Sequence, residues 1–246
     1  MSGLLEERGV VAMSGLRWKV CGITNGEDAA AAIEAGADAL GFVLWPGSPR
    51  AVTLDQAAAI AADLPADVWR VGVFVDAVSE EIAAAAERLE LDFVQLHGDE
   101  TPQACAAAPR PVWKALRFAP GTAPETAREL AEAYPQATLL IDARVAGEYG
   151  GTGEAADWEV AAHLAAERRV VLAGGLHAGN VVAAVERVRP WAVDVSSGVE
   201  SAPGRKSIDK LTAFAESLAP YRPEAAAARG VTQRVPGTAP QGGETT

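Results

Sequence analysis

Cysteine is scarce in this chain: Cys21 and Cys105 are the only two among 246 residues. That density is far below what a disulfide-stapled secreted domain carries. Histidine is nearly as rare, and His97, His163 and His177 do not fall at metal-ligating spacings. No apolar run approaches the roughly 20 residues that a membrane span requires. Residues 1–16 hold Glu6, Glu7 and Arg8, and their apolar stretch is only Val10-Val11-Ala12, which is not the pattern of a secretory signal. Positive charge is also short: 21 Lys plus Arg stand against 33 Asp plus Glu, a net charge of -12. An acidic chain is a poor partner for nucleic acid or for an anionic membrane, both of which are themselves negative. A local site for a small anion remains compatible with it. These absences together describe a reduced, cytoplasmic protein, expected as a monomer or a homodimer.

What is present is ordinary globular composition, 49% hydrophobic and 22% charged, which excludes wholesale disorder and collagen-like repeats. Both ends look appended. Met1-Ser2-Gly3-Leu4 recurs as Met13-Ser14-Gly15-Leu16, which suggests Met13 as a natural start with residues 1–12 upstream of it, and residues 1–16 together read as an N-terminal extension to the barrel. Residues 221–246 are rich in Ala, Gly, Pro and Thr, with too little apolar surface to offset the cost of ordering them, and are expected to be a disordered tail. The ends carry -1 and +1, so residues 17–220 carry the whole -12.

Within residues 17–220 the hydrophobic period switches repeatedly between strand and helix. The strand candidates are Trp18–Cys21, Ala39–Leu44, Trp69–Val75, Phe93–Leu96, Val112–Leu116, Thr138–Ile141, Val170–Ala173 and Trp191–Val195. Helical segments follow each, near 26–35, 53–63, 79–89, 102–108, 124–133, 157–168, 178–188 and 207–218. Thr53 with Gln56 reads as a capping box, and Pro102 and Pro124 suit first-turn positions. Strand–helix alternation means parallel strands with crossover helices. Eight units in about 200 residues fit a single α/β domain, a (β/α)8 barrel. A doubly wound open sheet is the alternative, but no Gly-x-Gly-x-x-Gly follows the first strand.

Polar or glycine residues recur where the strands end: Cys21, Ser48 with Arg50, Asp76, His97, Arg117, Asp142, Gly174-Gly175 and Ser196-Ser197. In a barrel those ends share the catalytic face. Any single one of them is equally well explained as the polar residue that ends a strand. Lys19 and Cys21 share a face, opposite Trp18 and Val20. A lysine beside a cysteine favours the thiolate, a base or nucleophile, although an isolated Cys is also a common small core residue, the reading Cys105 keeps. Asp142 ends an apolar strand, where it serves either as a general acid or base or as a loop cap. The segment Gly147–Gly153, with four glycines in seven residues, suits a lid or a plain flexible loop. Gly174-Gly175 and Ser196-Ser197-Gly198, near Asp194, sit after the seventh and eighth strands, where barrels commonly bind phosphate. Arg50, beside a Pro-fixed turn, is shaped to fork onto a carboxylate, and His97 shares a face with Gln95.

The segments KVCGIT, GFVLWPGSPR, VGVFVD, FVQLHGDE, LLIDA, GGTG followed by DW, LAGGL and VDVSSGVE, spread over residues 18–210, resemble the phosphoribosylanthranilate isomerases of tryptophan biosynthesis. The resemblance implies a (β/α)8 barrel that carries out an Amadori rearrangement of N-(5'-phosphoribosyl)anthranilate, with no metal and no organic cofactor. It implies catalytic roles for Cys21 and Asp142, an anthranilate-carboxylate contact at Arg50, and phosphate contacts at Gly174, Gly175, Ser196, Ser197 and Gly198. Lys19, His97 and Asp194 complete the expected substrate-binding set for a phosphorylated small molecule. The chain departs from the family pattern at His177, Glu154, Ala156 and Ser207, where Asn, Lys or Arg, an aromatic and Asp are common. Three rivals remain: a Schiff-base aldolase using Lys114, which faces away from Ala115 and Arg117, a metal-dependent epimerase, and a catalytically silent phosphate sensor.

Overall fold

The computed structural model describes residues 15–119, 121–142 and 156–222, with side chains described from residue 158 in the last span. The expectations for residues 1–14, for Gly147–Gly153, for Glu154, for the Ala156 side chain and for residues 223–246 lie outside the described residues. Eight parallel strands close into a barrel in chain order: β1 (Arg17–Cys21), β2 (Ala39–Val43), β3 (Trp69–Phe74), β4 (Phe93–Leu96), β5 (Val112–Leu116), β6 (Thr138–Asp142), β7 (Val170–Ala173) and β8 (Ala192–Val195). Pairing of β8 with β1 completes the circle and removes the open-sheet alternative.

Helices α1 (Gly26–Glu34), α2 (Leu54–Ala61), α3 (Ser79–Arg88), α4 (Pro102–Ala106), α5 (Pro124–Glu132), α6 (Ala156–Glu167), α7 (Val181–Val188) and α8 (Ile208–Leu218) follow the strands in turn. Their starts follow local chemistry. Thr53 and Gln56 exchange both bonds of the capping box, and Pro102 and Pro124 open α4 and α5 where no N–H is needed. Several boundaries shift by one or two residues, and the largest shift is at the start of α7, which begins at Val181 rather than 178. Residues 177–180 form a turn instead, because Asn180 Oδ1 accepts the His177 N–H (2.8 Å). A short hairpin, β9 (Glu200–Ala202) and β10 (Arg205–Lys206), follows β8. Among the described residues no helix is long and apolar enough to cross a membrane.

The alternation of the strands separates two cores. Outward residues such as Trp18, Val20, Leu139, Leu172 and Val193 pack under the helices, where Trp18 meets Phe214 of α8. Inward residues fill the barrel, and they taper. At the N-terminal end Trp69, Phe93, Trp113 and Trp191 pack ring on ring, with centroids 5.2 to 6.0 Å apart. Above them come Val71, Ala115, Leu140 and Val171, and higher still Val43, Val73 and Cys21. The floor is broad and aromatic, and the upper interior is lined by small residues. Gly41 is part of that economy, since a Cβ there would lie 2.7 Å from Lys19 Cε and 3.0 Å from Cys21 Sγ.

Lys114 points outward, as its phase along β5 implies. Its ammonium donates to Glu100 Oε2 and to the Gly98 carbonyl, both at 2.6 Å. Burial alone would raise the Glu100 carboxyl, but Lys114 and two backbone N–H groups hold it below its ordinary range. A lysine committed in this way behind the strand is not available at the mouth, which removes the basis for the aldolase reading. Two residues assigned by composition to the tail, Tyr221 and Arg222, are bound to the barrel. Tyr221 Oη donates to Glu186 (2.7 Å), and Arg222 donates to the Gly36 carbonyl (2.6 Å) and Asp38 (3.1 Å). Leu16 is buried beside them, its N–H bonded to the Tyr221 carbonyl.

Two stability measurements check this picture. Lys114→Met strands the buried Glu100 carboxylate and lowers unfolding free energy in urea by about 3–5 kcal/mol. Gly41→Ala overpacks the upper barrel and costs about 1–3 kcal/mol in the same assay. An unchanged midpoint for Gly41→Ala would mean that Lys19 and Cys21 are not tightly packed.

Candidate active site

The barrel brings the residues singled out in the sequence to one rim. Lys19 and Cys21 are inward on β1, Arg50 lies between β2 and α2, His97 follows β4, Asp142 ends β6, Gly174-Gly175 follow β7, and Asp194 and Ser196-Ser197-Gly198 end β8 and continue past it. Asp142 belongs to the strand itself, one residue beyond the end expected from hydrophobicity. Its place two residues after the inward Leu140 sends its carboxylate into the mouth.

Beneath the rim, Lys19 is wholly inaccessible, and its ammonium donates to Asp194 Oδ2 at 2.7 Å. Burial opposes the lysine charge, but Asp194 and the Cys21 sulfur outweigh it and hold Lys19 above its ordinary range. Cys21 is 9% exposed. Burial pushes its thiol up, and Lys19 and Lys206 pull it down without prevailing. The expectation that Lys19 favours the thiolate is therefore corrected in its outcome. The pull exists, but removal from water is the larger effect, and much of the Lys19 charge is spent on Asp194.

Across the mouth, Gln95 Nε2 lies 2.9 Å from His97 Nδ1. With the amide donating, the proton of the neutral ring sits on Nε2, and that atom is 3.6 Å from Asp142 Oδ2. The His97 carbonyl accepts from Arg117, so this strand-end arginine braces the histidine backbone. Asp76, another polar strand end, is scaffolding. Its Oδ1 accepts the Asp99 N–H at 2.7 Å, and a Cβ on Gly98 would strike it at 2.4 Å. The plain reading of a polar strand end holds for Asp76.

Arg50 does fork onto a carboxylate, but the carboxylate belongs to the chain. Nε and Nη2 donate to Glu200 Oε1 and Oε2 at 2.8 and 2.6 Å. A guanidinium has five donors, so the Nη1 edge is left over, and the side chain is 21% exposed. Gly22, at φ 76°, lets Arg50 lie close, since a Cβ there would be 2.5 Å from Arg50 Cδ.

The two glycine-serine elements touch. Gly174 and Gly175 take φ of 90° and 64°, open to glycine but strained for other residues. A Cβ on Gly198 would meet the Leu176 carbonyl oxygen at 1.9 Å, so only glycine lets the segment after β8 press against the segment after β7. Asn180 Nδ2 donates to the Gly175 carbonyl (3.1 Å) and closes that loop. Of the departures from the family pattern, Ser207 accepts the Lys210 N–H and caps α8, and His177 Nδ1 accepts from Gly179. Three residues escaped the sequence reading. Gly41 opens the GFVLWPGSPR segment, but nothing in the sequence marks it as a point of close approach. Glu200 closes the VDVSSGVE segment, and Pro203-Gly204 is a turn signal announcing the hairpin that carries Lys206.

This architecture has relatives. The family model described as N-(5'phosphoribosyl)anthranilate (PRA) isomerase matches residues 18–217. A Pseudomonas putida N-(5'-phosphoribosyl)anthranilate isomerase is 51% identical over 208 residues, covering 84% of this chain and 98% of that protein. The crystal structure of the Thermotoga maritima phosphoribosyl anthranilate isomerase is similar with a TM-score of 0.75 and 42% identity, covering 82% of this chain and 98% of that one. A second solved isomerase, in complex with reduced 1-(o-carboxyphenylamino)-1-deoxyribulose 5-phosphate, is similar with a TM-score of 0.72 and 40% identity, covering 82% and 97%. An eight-stranded barrel with this rim, matched over nearly its whole length, belongs to the N-(5'-phosphoribosyl)anthranilate isomerase family of tryptophan biosynthesis.

Proposed function

We propose that the rim carries out the Amadori rearrangement of N-(5'-phosphoribosyl)anthranilate to 1-(2-carboxyphenylamino)-1-deoxy-D-ribulose 5-phosphate, with Asp142 as general acid and Cys21 as general base. One observation carries this reading. Cys21 and Asp142 end inward-facing strands of the same mouth, on β1 and β6, so they flank a substrate from two sides. Protonated Asp142 gives its proton to the ribose ring oxygen. The bond from that oxygen to sugar carbon 1 breaks as the anilino nitrogen lone pair forms an iminium. The iminium acidifies the hydrogen on carbon 2, and the Cys21 thiolate takes it, leaving an enolamine. Proton return to carbon 1 and loss of the enol proton give the ketose. Atoms and electrons balance within the substrate and two side chains.

Binding is assigned to the same rim. The Nη1 edge of Arg50 suits the anthranilate carboxylate, and the paired glycine-serine segments suit the phosphate. His97, held by Gln95, faces Asp142 and suits a sugar hydroxyl or the acid itself. Lys19 and Asp194 lie below and support Cys21. A thiol that must stay free to act as a base suits a reducing cytoplasm.

Cys21→Ala and Asp142→Asn each lose about 100-fold or more in kcat/KM, and neither rescues a tryptophan auxotroph lacking this isomerase. Full rescue by both would overturn the assignment. Because the Cys21 thiol is pushed up, its thiolate is scarce at neutral pH. While Asp142 keeps its proton, kcat/KM therefore rises as the solution becomes alkaline and falls away on the acid side, and it falls again where Asp142 ionises. A profile flat from pH 6 to 9 would argue against a thiolate base.

A further inference from the structure

Behind the rim sits a group of buried charges that the chemistry above does not use. Glu200 on β9 and Lys206 on β10 are each almost inaccessible. The Glu200 carboxylate takes both donors of the Arg50 fork, and its Oε1 also accepts from Lys206 Nζ at 2.9 Å. Lys206 Nζ donates in turn to the backbone carbonyl of Cys21 at 2.6 Å, an oxygen that Ser196 Oγ also reaches at 3.1 Å. Arg50, Glu200, Lys206 and the Cys21 backbone thus form one connected run.

Holding the hairpin in place does not require this run. The Lys206 backbone N–H already donates to Asp28 (2.9 Å), Thr24 Oγ1 to the Gly204 carbonyl (2.6 Å), and Lys210 Nζ to the Glu200 carbonyl (2.6 Å). Burying a lysine ammonium is costly, and an apolar residue would fill the same space. What the ammonium adds is a charge beside Cys21. The charged groups facing Cys21 are Lys19 on β1, Arg50 after β2, Asp194 on β8, Glu200 on β9 and Lys206 on β10. Lys19 is matched by Asp194, and Arg50 by Glu200. Lys206 shares that same carboxylate, so three cations stand against two carboxylates and one positive charge is in surplus.

We propose that Glu200 and Lys206 are positioning residues for the isomerisation: Glu200 aims the Arg50 guanidinium at the substrate carboxylate, and Lys206 fixes the Cys21 backbone and gives the group the surplus positive charge that stabilises the thiolate. This rests on the assignment of Cys21 as base and Arg50 as carboxylate anchor. Burial and Lys206 act on the thiol in opposite directions, so removing the lysine leaves burial less opposed.

The test separates this proposal from the assignment beneath it. In a Cys105→Ser background, the pH dependence of Cys21 alkylation by iodoacetamide reads the thiol without the reaction. Lys206→Met moves that titration to higher pH by about one unit, and the acid limb of kcat/KM moves with it. Lys206→Gln keeps a donor for the Cys21 carbonyl but not the charge, shows the same shift, and serves if the methionine variant does not fold. Lys206→Arg restores most of the parent profile. Glu200→Gln raises KM for the phosphoribosylanthranilate substrate about tenfold with a smaller change in kcat. A folded Lys206→Gln whose alkylation profile superimposes on the parent overturns the role of Lys206, and an unchanged KM in Glu200→Gln overturns that of Glu200. A shifted alkylation profile with an unshifted kcat/KM limb instead overturns Cys21 as the base.

Discussion

The ion pair between Lys19 and Asp194 sits at the seam of the barrel, where the first strand of the circle meets the last. The two residues are register partners on β1 and β8, and their side chains meet at 2.7 Å inside the closed interior. Neither charge is tolerable there alone, because the cost of removing an ion from water is met only while the partner is in place. The pair therefore ties barrel closure to the electrostatics of the mouth. Cys21 stands two residues above Lys19 on the same face, and Gly41 is required to leave Lys19 and Cys21 room. The raised thiol of Cys21 follows from the same arrangement, in which a nearby cation is already matched and burial prevails.

The fold was largely legible in the sequence because a barrel is built from local rules. Each strand is a short apolar run, several helices open on a capping side chain, and the order of chemistry at strand ends follows from the count. Where the reading slipped, a specific side chain was responsible, as with Asn180 closing the turn that delays α7. The site was legible only as a set of residues. Arg50 and Glu200 are separated by 150 positions, and Lys206 and the Cys21 carbonyl by 185. No local pattern reports such a contact. Nor does spacing reveal whether burial or a neighbouring lysine governs a thiol, since burial is set by the whole interior. The tail boundary slipped for a similar reason: composition does not show that Arg222 reaches Asp38, 184 positions away.

The net charge of -12 places a demand on a site that takes a phosphate and a carboxylate. Sequence reasoning assigns that demand to Lys19, Arg50 and the glycine segments. In the structure both cations already have carboxylate partners. On the proposed assignment, the attraction for anions comes from what pairing leaves over: the Nη1 edge of Arg50 and the backbone donors of the two loops. Such a site attracts by direction more than by total charge, which suits a small ligand with two fixed anionic ends.

The aromatic floor has a consequence for traffic. Trp69, Phe93, Trp113 and Trp191 plug the N-terminal end of the barrel, with the guanidinium groups of Arg17 and Arg169 resting on two of the indoles. Among the described residues the interior is closed at that end, which leaves the C-terminal rim as its doorway. Product leaves by the route through which substrate enters, so each turnover waits for the doorway to clear. A tighter hold on the phosphate end delays the departure of product as well as of substrate.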